Sequence, residues 1–210
     1  MVPASGNTVT ASNFTDAPLN GAYSLAVDGA NNVWVANALG VSLTEFNGSG
    51  IVQSGAGGYT GIFQSNPAAV AIDNTGRSWV VDQSSNTLTV LSSGSPIAGS
   101  PFTGGGLSLP NAIALDGNGT AWVSNGNGTL SAFAITGAAI TPATGFVSGA
   151  AFSNGAAVDG SGNVWLTSCS SYCTGIGADL ESVYELIASA TPMVTPLALA
   201  VKNATLATEP

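Results

Sequence analysis

The stretch DGNGTAW, from Asp116 to Trp122, decides the fold because the chain repeats it. Its counterparts are DGANNVW (Asp28–Trp34), DNTGRSW (Asp73–Trp79) and DGSGNVW (Asp159–Trp165). The steps between successive aspartates, and between successive tryptophans, are 45, 43 and 43 residues. A fixed period of this size indicates one supersecondary unit that packs against copies of itself.

Each repeat contains several short runs of strand-forming residues. In the third repeat an apolar run, AIAL, precedes Asp116, a second run starts at Trp122, and a third, TLSAF, covers 129–133. A more variable piece, AAITPA at 138–143, closes the unit. Such runs between Gly, Asn and Ser turns predict antiparallel strands. Four strands in about 43 residues predict an all-β protein, a β-propeller built of four-stranded antiparallel blades.

The repeats divide the chain into blades within a single domain of residues 1–210. The predicted blades cover 22–64, 67–107, 110–150 and 155–199, and terminal strands are predicted at 6–16 and 192–202. The four repeats either close a small ring or form an arc of a larger propeller with six or more blades, and we favour the arc.

The repeated aspartates and tryptophans are predicted to be structural. An Asp followed by Gly or Asn forms a hairpin turn, in which the carboxylate accepts backbone N–H groups and the Gly or Asn supplies a positive φ. A Trp present in every repeat fills the gap between neighbouring sheets. Catalytic aspartates and sugar-stacking tryptophans are the alternatives. The residues are Asp28, Asp73, Asp116, Asp159, Trp34, Trp79, Trp122 and Trp165.

The pattern P-x-x-I/V-A-I/V/L-D-x-x-G-N/T-x-W-V-x-N resembles the repeats of NHL-type propellers and of the streptogramin (virginiamycin B) lyase-like group. The resemblance is clearest over 67–81, 110–125 and 154–167. It implies a propeller fold and, for the lyase, elimination of an ester linkage in a cyclic peptide antibiotic by a His base with Mg²⁺ nearby. This chain has no histidine. Related lactonase-like hydrolases use a central metal held by Glu, Asn and Asp, and no Glu of this chain lies at a matching place.

The loops at one end of the predicted channel carry the candidate binding residues. The third residue after each Trp is Asn37, Asp82, Asn125 or Ser168, and the loops that lead into the first strands contribute Asn66, Asn111 and Asn154. Amides and a carboxylate could hydrogen-bond a polar ligand. The alternative is that they cap strand ends. No catalytic residue and no cofactor is predicted; Ca²⁺ or Mg²⁺ at this mouth stays an alternative that no motif supports.

Charge and cysteine content restrict the partners and the compartment. The formal net charge is −9, and the chain has one Lys and one Arg. So few cations argue against binding to nucleic acid. No apolar run approaches the roughly 20 residues of a membrane span, so no membrane insertion is predicted. Cys169 and Cys173 are predicted to form a disulfide, with free thiols or metal binding as alternatives. We therefore expect an extracellular or periplasmic location, although no signal peptide is visible.

The sequence favours a non-catalytic, NHL-like propeller scaffold of the bacterial secreted type, which binds a protein, a polar small molecule or a carbohydrate. One alternative is a streptogramin lyase-like or lactonase-like enzyme. Another is a carbohydrate or cell-surface binding module, suggested by a surface with only 6% charged residues. Many activities occur on one fold, so the repeat indicates architecture more strongly than function.

Overall fold

A computed structural model describes residues 18–169, 182–187 and 189–191. Within these ranges the secondary structure consists of β-strands, as predicted. The strands are β1 (Ala22–Val27), β2 (Val33–Asn37), β3 (Ser42–Phe46), β4 (Pro67–Ile72), β5 (Ser78–Asp82), β6 (Thr87–Ser92), β7 (Ser95–Pro96), β8 (Pro110–Leu115), β9 (Ala121–Asn125), β10 (Thr129–Phe133), β11 (Phe146–Val147), β12 (Ser153–Val158), β13 (Val164–Ser168) and β14 (Ser182–Leu186). The described residues contain no helix long and apolar enough to cross a membrane.

The strands form four antiparallel sheets that follow one another along the chain. Their strand orders are β1-β2-β3, β4-β5-β6-β7, β8-β9-β10-β11 and β12-β13-β14. Neighbouring sheets meet chiefly through their first strands, because β1 contacts β4, β4 contacts β8, and β8 contacts β12. The first strands therefore lie innermost and the later strands lie further out. This is the radial arrangement of propeller blades.

The turn between the first two strands of each sheet is built by its aspartate. In the second sheet, Asp73 Oδ1 accepts the backbone N–H groups of Thr75 (2.9 Å) and Arg77 (3.0 Å). Gly76 takes a φ of 81° and donates its N–H to the Asp73 carbonyl. The residue three positions after each of the other aspartates, Asn31, Gly119 or Gly162, also has positive φ. A left-handed residue at this point closes a tight hairpin.

The same aspartate also holds the tryptophan six residues later. Asp73 Oδ2 accepts the indole N–H of Trp79 at 2.9 Å. The corresponding distances in the first, third and fourth sheets are 3.1, 3.2 and 2.9 Å. A buried indole N–H needs an acceptor. The bond therefore explains why the two residues recur together.

Three tryptophans pack between neighbouring sheets. Trp79 is fully buried and belongs to a cluster with Ile113, Val123 and Phe133 of the third sheet. Trp34 packs in the same way against the second sheet, and Trp122 against the fourth. Burial of a large aromatic side chain contributes about 2–3 kcal/mol, so each of these contacts helps to hold neighbouring blades together.

Trp165 departs from this pattern. Its side chain is 36% exposed, whereas the other three are at most 5% exposed. The residues that the structure describes include no sheet beyond the fourth for this indole to pack against. The expectation that all four tryptophans fill equivalent gaps is therefore wrong for Trp165.

The outer parts of the blades differ from the sequence-based expectation. The fourth strand of the third sheet is Phe146–Val147, beyond the predicted piece at 138–143. The first sheet has three strands, and its outer region makes only isolated bridges such as Phe46 with Val52. The fourth sheet starts at Ser153 rather than at 155. The predicted terminal strands at 6–16 and 192–202 lie outside the described residues.

Candidate functional site

The mouth of the propeller is shaped by a bulge in every first strand. The pairing of first and second strands shifts register by one residue near the start of each first strand. The extra residues are Tyr23, Ala68, Asn111 and Asn154. A β-bulge bends its strand and changes the direction of the extra side chain. These residues lie on the innermost strands, at the end of the propeller opposite the aspartate turns.

The residues three positions after the tryptophans do not line an open mouth. Asn37, Asp82 and Asn125 are fully buried and Ser168 is nearly so. Asn125 Oδ1 accepts the Ser108 N–H at 3.1 Å, and its amide donates to Thr129 Oγ1 (3.1 Å) and Ser131 Oγ (2.9 Å). The side chain thus joins the incoming loop to the third strand. This corrects the expectation that these four side chains face a ligand, because their polar groups are used inside the protein.

Asp82 also attaches an incoming loop, and it does so with a charged carboxylate. Its carboxylate accepts the N–H groups of Gln64 (3.0 Å), Ser65 (2.8 Å) and Asn66 (3.0 Å) from the loop before β4, and that of Ser85 (3.2 Å). Burial raises the pKa of this carboxyl, but hydrogen bonds from the backbone N–H groups of Asn66 and Ser65 and from Ser85 outweigh it, and the pKa falls below its ordinary value. Asp82 therefore stays ionised at neutral pH and clamps the loop.

Asn37 and Ser168 anchor their own loops with fewer bonds. Asn37 Oδ1 accepts the Asn20 N–H at 3.3 Å, and its amide donates to Thr44 Oγ1 at 2.9 Å. Ser168 Oγ accepts the Ala151 N–H at 3.0 Å. The four positions therefore share one structural task, which is to attach the loop before the first strand to the end of the second.

A chain of hydrogen-bonded amide side chains runs across the mouth. Asn66 donates to Gln83 Oε1 at 3.1 Å, Gln83 donates to Asn111 Oδ1, and Asn111 donates to the Ser153 carbonyl at 3.1 Å. These bonds link the second, third and fourth blades. Asn66 and Asn111 were predicted mouth residues, and the structure brings them together through Gln83. Asn154, the third predicted one, lies exposed on the bulge of the fourth blade.

Gln83 is the functional candidate that the sequence interpretation missed. It follows Asp82 directly and has no amide counterpart in the other repeats, where Ala38, Gly126 and Cys169 occupy the position. The sequence does contain a signal for Gln83, because this residue differs in type from its counterparts in the other three repeats.

A cleft of about 620 Å³ opens at the mouth between the first and second blades. One wall is largely apolar and carries the exposed side chains of Tyr23 and Leu39. The other wall is polar and carries Asn66 and Gln83. Asn66 Oδ1 is buried and has no hydrogen-bond partner, although its amide nitrogen is bonded. The full lining consists of Gly21, Ala22, Tyr23, Ala38, Leu39, Val41, Ser65, Asn66 and Gln83.

The four turn aspartates and Glu45 are held in structural bonds outside the mouth. Burial raises the pKa of Asp28 and Asp73, but hydrogen bonds from the turn and the indole outweigh it and lower each pKa. Burial also raises the pKa of Asp116, but the backbone N–H of Thr191, together with the turn and the indole, outweighs it. The backbone N–H of Asn163 is the first cause of the lowered pKa of Asp159. Glu45 accepts the Tyr59 hydroxyl at 2.7 Å. In the described part of the chain no three His, Cys, Asp or Glu residues are grouped to hold a metal ion.

Cys169 is buried and disulfide-bonded at the end of β13. Cys173, its predicted partner, lies outside the described residues.

No family model matches the sequence. No curated protein matches it significantly. Solved structures match it over most of its length. The hydrazine synthase of Kuenenia stuttgartiensis superposes with a TM-score of 0.64 at 14% identity, covering 86% of this chain and 49% of that chain. Streptogramin B lyase gives a TM-score of 0.52 at 14% identity, covering 71% of this chain and 48% of that chain.

A gluconolactonase-like structure gives a TM-score of 0.58 at 13% identity, covering 84% of this chain and 61% of that chain. The chain therefore spans about half the length of the hydrazine synthase and streptogramin B lyase chains that it matches. Identities this low establish the fold alone. The chain has the β-propeller fold that streptogramin B lyase and gluconolactonase-like proteins share.

Proposed function

We propose that the chain is a non-catalytic β-propeller binding module that takes a neutral, polar ligand, such as an oligosaccharide or an uncharged peptide segment, in the mouth cleft. The observation that carries the proposal is the composition of the cleft walls. Tyr23 and Leu39 offer an exposed apolar surface, and the same cleft is lined by the amides of Asn66 and Gln83, of which Asn66 Oδ1 is an acceptor without a partner. Binding sites commonly combine an apolar surface with a few placed polar groups.

The state of the carboxylates supports a binding role over catalysis. General acid–base catalysis works best when the catalytic pKa lies near the working pH. The pKa values of Asp73, Asp82 and Asp116 are lowered by bonds that also hold the fold together. The sequence contains no histidine. These groups serve as fixed anions within turns and loops.

An extracytoplasmic location belongs to the same proposal. The disulfide at Cys169 fits an oxidising compartment. The low content of charged residues suits recognition of a neutral ligand, because few ionic groups compete for its hydroxyl or amide groups.

A glycan array followed by titration calorimetry tests the proposal. We expect a neutral oligosaccharide to bind, and the Tyr23→Ala and Gln83→Ala variants to weaken that binding about tenfold each, since one contact contributes about 1–1.5 kcal/mol. Gln53→Ala is the matched control, because Gln53 is exposed on the outer part of the first blade. Affinity that is unchanged in both mouth variants would place the ligand elsewhere.

An enzyme of lyase or lactonase type is the second candidate, because the fold is shared with streptogramin B lyase and a gluconolactonase-like structure. Incubation with a streptogramin B antibiotic and with an aldonolactone distinguishes the two functions. If the chain is a binding module, neither compound should be consumed faster with the protein than without it. Turnover that is lost in the Asn66→Ala variant would establish catalysis at the same mouth.

A further inference from the structure

The chain of amides across the mouth has a fixed direction. It ends on the backbone carbonyl of Ser153, which can only accept a hydrogen bond. Asn111 therefore turns its nitrogen to Ser153 and its oxygen to Gln83. Gln83 must then donate with its nitrogen and accept with its oxygen, so the amide nitrogen of Asn66 donates to it. Turning any one of these amides around would set two donors or two acceptors against each other.

This direction leaves the side-chain oxygen of Asn66 at the free end of the chain. Within the described residues, Asn66 Oδ1 has no hydrogen-bond partner, and it is shielded from water. Asn66 and Gln83 both line the cleft between the first and second blades, so the free end lies at the cleft wall. A buried acceptor without a partner is costly, and a donor that reaches it removes this cost. The cleft therefore suits a ligand that brings an O–H or N–H group.

A ligand reaches this oxygen through side-chain movement at the surface of the cleft. Side-chain rotamers at binding sites commonly change when a partner enters. Tyr23 and Leu39, which line the same cleft, are exposed rather than packed in the core. The entry of a ligand therefore requires no change in the strands.

A sugar suits these walls better than an extended peptide, which binds through free main-chain groups at the edge of a sheet. Main-chain groups of the cleft walls already pair with each other. Ala38 donates its N–H to the Gly21 carbonyl at 2.9 Å. Gln83 donates its N–H to the Asn66 carbonyl at 2.8 Å. A pyranose needs no sheet edge, because it offers C–H groups to the exposed Tyr23 ring and hydroxyl groups to side-chain amides.

We propose that the cleft takes a neutral sugar and that Asn66 Oδ1 accepts a hydrogen bond from one sugar hydroxyl. The proposal rests on the proposed function and adds the class of ligand and the atom that selects it. Asn66 is then the specificity-determining residue of the cleft. A site built to bond a hydroxyl group rejects the analogue that lacks it, because the buried polar group is left unpaired.

The direction of the amide chain is measured without any ligand. NMR of the labelled protein should show scalar coupling across the hydrogen bond from the Asn66 side-chain nitrogen to the Gln83 side-chain carbonyl carbon. The reverse coupling, from the Gln83 nitrogen to the Asn66 carbonyl carbon, would overturn the proposal, because the nitrogen of Asn66 would then be the free group.

Fluorinated sugars test the selection of a donor. The probes are the methyl glycosides of glucose, galactose, mannose and N-acetylglucosamine, each also with one hydroxyl at a time replaced by fluorine. Fluorine is similar in size to a hydroxyl group but cannot donate a hydrogen bond. In calorimetric titrations at least one glycoside should bind, and replacing one particular hydroxyl should weaken that binding about tenfold or more.

Two near-isosteric variants assign this loss to the oxygen of Asn66. In Asn66→Leu the fluorinated and parent sugars should bind within about twofold of each other, because the acceptor is gone. Asn66→Asp keeps an acceptor oxygen and should retain the difference between the two sugars. Gln53→Leu, at an exposed amide on the outer part of the first blade, is the control and should behave like the wild-type protein. Melting curves establish that each variant is folded.

The outcomes separate this proposal from the proposed function. A glycoside that binds equally well with any hydroxyl replaced, or a difference that persists in Asn66→Leu, would overturn the proposal and leave the binding function standing. Failure of all four glycosides to bind would overturn the assignment to sugars. The proposed function fails on a different result, namely a ligand whose affinity depends on neither Tyr23 nor Gln83.

Discussion

The six-residue spacing between aspartate and tryptophan is explained by one carboxylate with two tasks. One oxygen of Asp73 closes the hairpin turn and the other accepts the indole N–H of Trp79. The turn thereby fixes the ring that fills the gap to the next sheet. The sequence pattern predicted the turn and the role of the ring, but not the bond between them. Spacing alone does not show which way a carboxylate oxygen points.

Removal of Asp73 should therefore cost more than removal of Asp159. We expect Asp73→Ala to lower the free energy of unfolding by about 2–4 kcal/mol. A buried indole N–H, two backbone donors, the Thr75 hydroxyl and the Arg77 guanidinium lose their acceptor. Asp159→Ala should cost clearly less, since Trp165 is partly exposed and water can replace the carboxylate. Urea unfolding followed by circular dichroism measures both. Equal losses would show that neither burial of the indole nor the ion pair with Arg77 strengthens the bonds of Asp73.

At the scale of elements, hairpins were more predictable than outer strands. The first three strands of each sheet follow from apolar runs bounded by turns, and the structure has them in all four repeats. The outer pieces reduce to two-residue strands such as Ser95–Pro96, or to isolated bridges. Few buried side chains hold these outer strands in place. Their sequences therefore vary and show no regular hydrophobic period.

The mouth was less predictable for a related reason. The repeat located Asn37, Asp82 and Asn125 at strand ends, but side chains at strand ends either face a ligand or attach a loop. The burial of such a side chain decides which of the two roles it has. That burial depends on how the incoming loop folds back over the strand. The bulge at Tyr23 is equally hidden, because an extra residue is recognised only from its pairing with the neighbouring strand.

Acid should loosen the turns and loops held by carboxylates. The pKa values of Asp73, Asp82 and Asp116 in the folded protein lie below the ordinary value of 3.8. Their contribution to stability is therefore complete above about pH 4 and is lost as the pH falls through the lowered values. The melting temperature should be nearly constant from pH 7 to 5 and fall steeply below pH 4. Asp82→Asn should show a shallower fall, and a steep fall already between pH 7 and 5 would contradict this assignment.

At the scale of the whole molecule, the repeat period predicted the architecture because every unit must bury the same face. What lies beyond the first and last units was not predictable, since the period is the same in a closed ring and in an arc. The structure supplies this information through exposure. Leu25 and Trp165 occupy positions that are buried in the inner repeats, so the four sheets do not close on themselves within the described residues.

Acrylamide quenching of tryptophan fluorescence tests the radial arrangement most directly. In the folded protein we expect one accessible tryptophan and three shielded ones. The Trp165→Phe variant should lose most of the quenchable emission, whereas Trp79→Phe should retain it, because Trp79 is fully buried and Trp165 is 36% exposed. Equal accessibility of Trp79 and Trp165 would contradict the account, since it would mean that these indoles do not lie between successive sheets.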